Sequence, residues 1–290
     1  MIASIPSPSS GVVNLGPLHI HLYGLTLLVA ILACVWMTSW RWRKQGGDPD
    51  LVIRVAVWGV AAGVVGARLY HDLTSWNEVP TPKWKGVFEV WQGGLGVWGG
   101  ILLGTLAGWI VVRRAGERFA PFMDAAAPGL LLAQGIGRIG NWWNQELFGK
   151  PTDLPWGLRI SAAHRPPQYI DKVTFHPTFL YELLWDFAGV GILLFVSSRF
   201  RIRPPGLFCL YVAYYCFGRF FEELLRVDPS HHLWGLRLNG WVSIVCFVVS
   251  SVAFVWLQLT AGEGGGERKP RRKKAPPPGP KMAVPKTRVR

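Results

Sequence analysis

Three stretches of this chain run for 18 or more residues without a charge: 22–40, 95–112 and 238–260. A hydrocarbon layer about 30 Å thick needs roughly 20 helical residues, with about 17 as the lower limit. Each stretch therefore predicts a transmembrane helix. A soluble fold would have to bury every face of three such helices within 290 residues. Composition points the same way: half the residues are hydrophobic and 17% are charged, against about 25% in ordinary soluble domains. Disorder, collagen, a disulfide scaffold and a coiled coil are excluded for the bulk of the chain.

Four further stretches, 54–73, 121–138, 178–196 and 206–221, are apolar but carry a charge or a proline. A central Arg costs roughly 3 kcal/mol on insertion scales, so these helices require their charges to face protein or water. Gly59 and Gly63 form a GxxxG step with Gly66 following, a pattern suited to close helix contact in lipid. The expected architecture is an all-α polytopic membrane domain over residues 1–260 with about seven spans. Small elements lie on the outer side, around 77–89 and 151–172. Residues 261–290 hold ten basic and two acidic residues among Gly and Pro and predict a disordered basic tail. That tail reads either as an attraction to anionic headgroups or as a solvated topology anchor; without interleaved aromatics it does not suggest nucleic-acid binding.

If the loops alternate sides, Arg41, Arg43, Lys44, Arg113, Arg114, Arg118, Arg199, Arg201, Arg203 and the tail all fall on one side. The positive-inside rule makes that side cytoplasmic and places the N-terminus outside. The first twenty residues contain no Lys or Arg, so they lack the charged start of a cleaved signal peptide.

Polar residues cluster at the ends of the fourth and sixth spans. Gln134 to Gly149 contains Arg138, Asn141, Asn144 and Glu146; Tyr215, Arg219, Glu223 and Arg226 follow at i, i+4, i+8 and i+11, one stripe on a helix. Two readings stand: a salt-bridged stripe that joins helices, or an anion site, since guanidinium forks bind phosphate oxygens in pairs. Gly135, Gly137 and Gly140 spell G-x-G-x-x-G, but inside an apolar run rather than after a strand, which argues against a dinucleotide site. His176 and Glu182 open the fifth span and suit either proton transfer or helix capping. Cys34, Cys209, Cys216 and Cys246 sit in apolar runs without paired spacing. His19 with His21, and His231 with His232, lack a third metal ligand. Neither a metal nor a cofactor is expected.

These segments resemble the prolipoprotein diacylglyceryl transferase family. Gly137-Arg-Ile-Gly-Asn-Trp-Trp-Asn-Gln-Glu-Leu-Phe-Gly149 is similar to the family's G-R-x-G-N-F-x-N-x-E-x-x-G motif, with Trp142 where Phe is usual. Gly16 to Gly24, Gly66 to Tyr70, Trp91 to Leu95, His176 to Glu182 and Tyr215 to Arg226 follow in the family's order, so the likeness covers residues 14–260. It implies a bacterial inner-membrane enzyme that moves the diacylglyceryl group of phosphatidylglycerol onto a lipobox cysteine thiol of prolipoprotein signal peptides. A thioether forms and glycerol-1-phosphate leaves. The resemblance makes Arg138 and Arg219 the essential arginines. It puts Asn141, Glu146 and Gly149 in the same motif, and Tyr23, Tyr215, Glu223 and Arg226 around the lipid and substrate site. Trp98 stands where many members carry a histidine cast as the base, and an indole cannot take a proton. Glu146, Glu223 and His176 remain as acceptors.

The chemistry suits these residues on its own terms. A thiol with a pKa near 8.5 is only a few per cent ionised at pH 7. A strongly cationic pocket would favour the thiolate and the departing phosphate alike. Two other classes compete: a transporter with an Arg-lined anion site, disfavoured by seven spans without an internal repeat, and a scaffold recruited through the tail.

Overall fold

The computed structural model describes residues 4–16, 18–90, 93–230 and 232–260. The disorder expected of the tail, Trp91 and Gln92 of one family motif, and the His231 half of a histidine pair lie outside them. Seven long helices carry the fold: α1 (Leu22–Lys44), α2 (Pro49–Thr74), α4 (Val97–Arg114), α5 (Phe119–Asn144), α6 (Thr178–Arg199), α7 (Gly206–Leu225) and α8 (Leu238–Leu259). A single-turn α3 (Lys83–Gly86) sits between α2 and α4. α1, α2, α4, α6 and α8 are long and apolar enough to cross a membrane by themselves. α5 and α7 are the polar pair, and they hold the residues singled out above.

The large apolar side chains face outwards. On α1, Leu25, Leu28, Leu32 and Trp36 are exposed, and on α8 so are Val245, Val249, Val252 and Trp256. Their spacing of three and four residues makes each set one helical stripe. Apolar stripes of this size have a favourable environment in lipid rather than water.

The helices meet through small residues. The expected glycine step of α2 lies against glycines of α4: a Cβ on Gly66 would strike the Gly99 carbonyl oxygen, one on Gly63 would lie 3.5 Å from Gly100 O, and one on Gly59 3.6 Å from Gly104 O. α5 lies centrally, against α1, α6 and α7. There Gly129 faces Thr38 of α1, Gly135 faces Phe187 and Asp186 of α6, and Gly140 faces the Tyr23 ring. Gly135 and Gly140 of the G-x-G-x-x-G pattern thus admit neighbouring side chains, and the whole pattern lies within one helix with no strand before it.

The two ends of the bundle differ. One carries the short connections 45–48, 115–118 and 200–205. Arg41 joins α1 to Ser197 of α6 (3.0 Å) and to the Asp124 carbonyl of α5 (3.4 Å) there, and Arg203 N donates to Gln258 of α8 (3.1 Å). The other end carries the long segments 75–96, 145–177 and 226–237 and three antiparallel hairpins: β1 (Val12–Leu15) with β2 (Leu18–His21), β3 (Leu158–Arg159) with β4 (Thr174–Phe175), and β5 (His232–Leu233) with β6 (Leu236–Arg237). Phe148, Leu158, Ile160 and Phe175 form a small core beneath them. Residue 5, paired with Leu158, and residue 260 therefore lie at opposite ends, as an odd number of spans requires.

Two boundaries differ from expectation. α5 continues six residues past Arg138 to Asn144, where Gln145 turns left-handed (φ 51°, ψ 47°) and stops it. This conformation is costly for a residue with a Cβ. The Gln145 side chain is clamped in compensation, donating to Pro8 O and accepting from Ser161 N, both at 2.8 Å. α7 ends at Leu225, and Arg226 is extended (φ −66°, ψ 145°). Arg226 is thus not the fourth member of a helical stripe. Its backbone instead pairs with Gly149.

Candidate active site

The C-terminal halves of α5 and α7 and the first turn of α6 bring their polar residues together at the long-segment end. Arg138 of α5 and Arg219 of α7 grip one carboxylate, that of Glu182 on α6. Arg138 Nη2 pairs with Glu182 Oε1, and Arg219 Nη1 lies 3.2 Å from Oε2. Tyr215, one turn before Arg219, donates to Glu182 Oε1 (3.3 Å) and accepts from Arg138 (3.4 Å). The periodicity of α7 sets this up: positions 215, 219 and 222 share the face towards Glu182 of α6.

From this centre the network runs both ways. Arg138 contacts Asn141 Oδ1 (3.5 Å), and Asn141 Nδ2 donates to Glu146 Oε1 (3.0 Å), which also accepts from Asn144 (3.4 Å). The Tyr23 ring covers Gly140, where a Cβ would lie 2.7 Å from Tyr23 Cδ2, and sits within electrostatic reach of Glu146 and Arg138. In the other direction Arg219 binds Glu222 (2.7 Å) and Glu223. Glu223 in turn accepts from Arg237 (2.6 Å) and lies 3.5 Å from Arg226. Asp228 closes the chain, held by Arg226 at 2.7 and 2.9 Å and by Arg237 at 2.8 Å. Burial of Asp228 opposes its charge, but hydrogen bonds and charge from Arg226 and Arg237 prevail and hold its carboxyl below the usual range.

Seven of the ten expected site residues belong to this one network: Arg138, Asn141, Glu146, Tyr215, Arg219, Glu223 and Arg226. Tyr23 packs on its edge, and Gly149 supports it through its backbone beside Arg226. His176 stands apart: its ring pairs with the Tyr181 hydroxyl (3.2 Å), and no hydrogen bond joins it to the arginines among the described residues. Partial burial and the charge of Lys150 hold its pKa below the ordinary value.

The expectation of a strongly cationic pocket is corrected. Arg138, Arg219, Arg226 and Arg237 are matched by Glu182, Glu222, Glu223 and Asp228. Four unpaired guanidiniums at the edge of a hydrocarbon layer would be prohibitively costly. What the site offers an anion is directed donors, with the Arg138 side chain 19% and the Arg219 side chain 13% exposed. Local spacing relates Glu182 only to His176. Glu222, Asp228 and Arg237 were not singled out, although Glu222 falls three residues after Arg219 and Arg237 directly precedes an uncharged span, spacings that place charge beside the cluster.

Among known proteins, the family model for prolipoprotein diacylglyceryl transferase matches residues 10–256. A phosphatidylglycerol–prolipoprotein diacylglyceryl transferase of Cutibacterium acnes is 48% identical over 263 residues, covering 90% of this chain and 89% of its own. One of two such proteins numbered in Streptomyces coelicolor, transferase 2, is 46% identical over 249 residues (85% and 78%). The Mycobacteroides abscessus protein of that name is 42% identical over 271 residues (88% and 79%). With a family match spanning nearly all of the helical domain and relatives of 42–48% identity along most of their length, this chain belongs to the prolipoprotein diacylglyceryl transferase family of bacterial membrane proteins.

Proposed function

We propose that this chain transfers the diacylglyceryl group of phosphatidylglycerol to the lipobox cysteine thiol of prolipoproteins, at the outer face of the bacterial inner membrane. The observation that carries the reading is the convergence of Arg138 and Arg219 on the single Glu182 carboxylate. Two guanidinium forks aimed at one pair of oxygens suit a phosphodiester equally well. The lipid phosphate takes the place between them that Glu182 holds, while the acyl chains stay in the bilayer. The ring of basic residues at the short-connection end supports a cytoplasmic location for that end, which puts the arginine network outside.

In the transfer, the cysteine sulfur attacks the glycerol carbon that bears the phosphate ester oxygen. An S–C bond forms, the C–O bond breaks, and its electron pair stays on the phosphate of the departing glycerol-1-phosphate. Arg138 and Arg219 stabilise the charge that grows there. The thiol proton goes to Glu146. Its Oε1 accepts only from the amides of Asn141 and Asn144, and Oε2 has no partner among the described residues. Glu223, by contrast, has both oxygens engaged by arginines. A transporter reading lacks support: every relative named above is a transferase.

The test is direct. Purified protein incubated with phosphatidylglycerol and a lipobox peptide yields a diacylglyceryl mass gain on the peptide cysteine. R138K keeps the charge but loses the fork, worth about 2–3 kcal/mol for a charged hydrogen-bond pair, so turnover falls roughly 30- to 150-fold. Near-normal turnover in R138K refutes the phosphate clamp.

A further inference from the structure

Glu223, which binds Arg219, also lines a cavity of about 480 Å³ between the end of α7 and the β5–β6 hairpin. Phe220 and Leu224 form an apolar wall, and the ionisable lining is Lys150, Glu223, Arg226, Asp228, His232 and Arg237. The volume is in the range of small-molecule sites.

The charges in this cavity are not equally available. Glu223 Oε1 is taken by Arg219 and Arg226, and Oε2 by Arg237. Asp228 Oδ1 is taken by Arg226, and Oδ2 by Arg226 and Arg237. Both carboxylates are thus committed to guanidiniums at both oxygens. Lys150 has no ion pair among the described residues, and its side chain is exposed. Its backbone is nevertheless fixed, donating to Leu225 O (2.8 Å) and accepting from His176 N (2.9 Å). The cavity therefore has an exposed lysine rooted on fixed backbone at its edge and no open carboxylate to receive a second cation.

We propose that this cavity takes the glycerol end of the phosphatidylglycerol headgroup, and that Lys150 selects against lipids whose headgroup ends in an ammonium. The inference rests on the transferase reading and deepens it. With the phosphate on Arg138 and Arg219, the distal glycerol extends past Glu223 into the cavity. A neutral diol is compatible with the Lys150 ammonium, whereas an ethanolamine ammonium meets like charge. The glycerol phosphate unit is the same chemistry in the intact lipid and in the released product, so the cavity serves both.

The experiment compares phosphatidylglycerol and phosphatidylethanolamine as donors to a lipobox peptide, using the full chain in detergent micelles. Free glycerol-1-phosphate serves as a product inhibitor in a second arm. K150E is expected to raise the ratio of kcat/KM for phosphatidylethanolamine over phosphatidylglycerol at least tenfold, and to raise the inhibition constant of glycerol-1-phosphate about tenfold. K150R, which keeps the charge, restores the wild-type preference in both arms. If K150E leaves the donor ratio and the inhibition constant at wild-type values, the headgroup cavity is overturned while the transferase reading stands. If the wild type yields no peptide adduct from either lipid, the transferase reading falls, and the headgroup assignment with it.

Discussion

Glu146 and Asp228 lie at opposite ends of one hydrogen-bonded network and have different surroundings. Glu146 is held by neutral amides and keeps an oxygen without a partner among the described residues, which suits it to receive a proton. E146Q preserves the shape and the amide contacts and removes that capacity. Its kcat is expected to fall by roughly 10²–10⁴-fold, the usual contribution of a general base, with little change in thermal stability. Asp228 is a structural acid. Its folded pKa lies below the ordinary carboxylate value of 3.8, so its stabilisation is present above that value and is lost as pH falls through the folded pKa. With its side chain 26% exposed, the contribution is about 1 kcal/mol after solvent screening. Acid unfolding followed in the wild type and in D228N checks this: the variant is less stable at neutral pH, and the gap closes at low pH.

At the scale of elements, α2 and α4 are joined by backbone contact, and the tolerance of each glycine follows from the space around it. A Cβ on Gly99 would collide with the Gly66 carbonyl oxygen and the Tyr70 Cβ, whereas one on Gly63 would sit at an ordinary 3.5 Å from Gly100 O. G99A is therefore expected to lower stability by about 1–3 kcal/mol, the usual cost of overpacking, while G63A is neutral within about 0.5 kcal/mol. Thermal unfolding in detergent of the two variants side by side separates them, and equal shifts would refute the close packing. α5 and α7 show the converse relation. Their polarity keeps them from reading as independent spans, yet α5 stands in the middle of the bundle and α7 beside it, because their polar faces meet each other and α6 rather than lipid.

For the whole molecule, the separation of basic connections from long hairpin-bearing segments is the basis of the proposed orientation. A single reactive cysteine introduced at Trp76 is expected to label from outside intact cells, and one at Arg201 only after permeabilisation. These labelling experiments start from a background with Cys34, Cys209, Cys216 and Cys246 replaced by Ala. Labelling of both positions from the same side would overturn the alternation of the spans.

The uncharged runs fixed the membrane class from sequence, because hydrocarbon thickness dictates helix length regardless of what packs against the helix. The GxxxG step likewise foretold a close contact, since only small residues let two backbones approach. Arg138, Arg219 and Tyr215 stood out because charge inside an apolar stretch needs a partner. The partner itself was not legible: Glu182 lies 37 residues before Arg219 in the chain, and no local spacing relates them. The same holds for Arg237 reaching back to Glu223, and for the pairing of His176 with Tyr181, since a place in a motif says nothing of the direction a ring takes. Local periodicity determines which face a residue occupies, whereas the choice among charges on several faces is made only when helices distant in sequence pack and each buried charge must find its opposite.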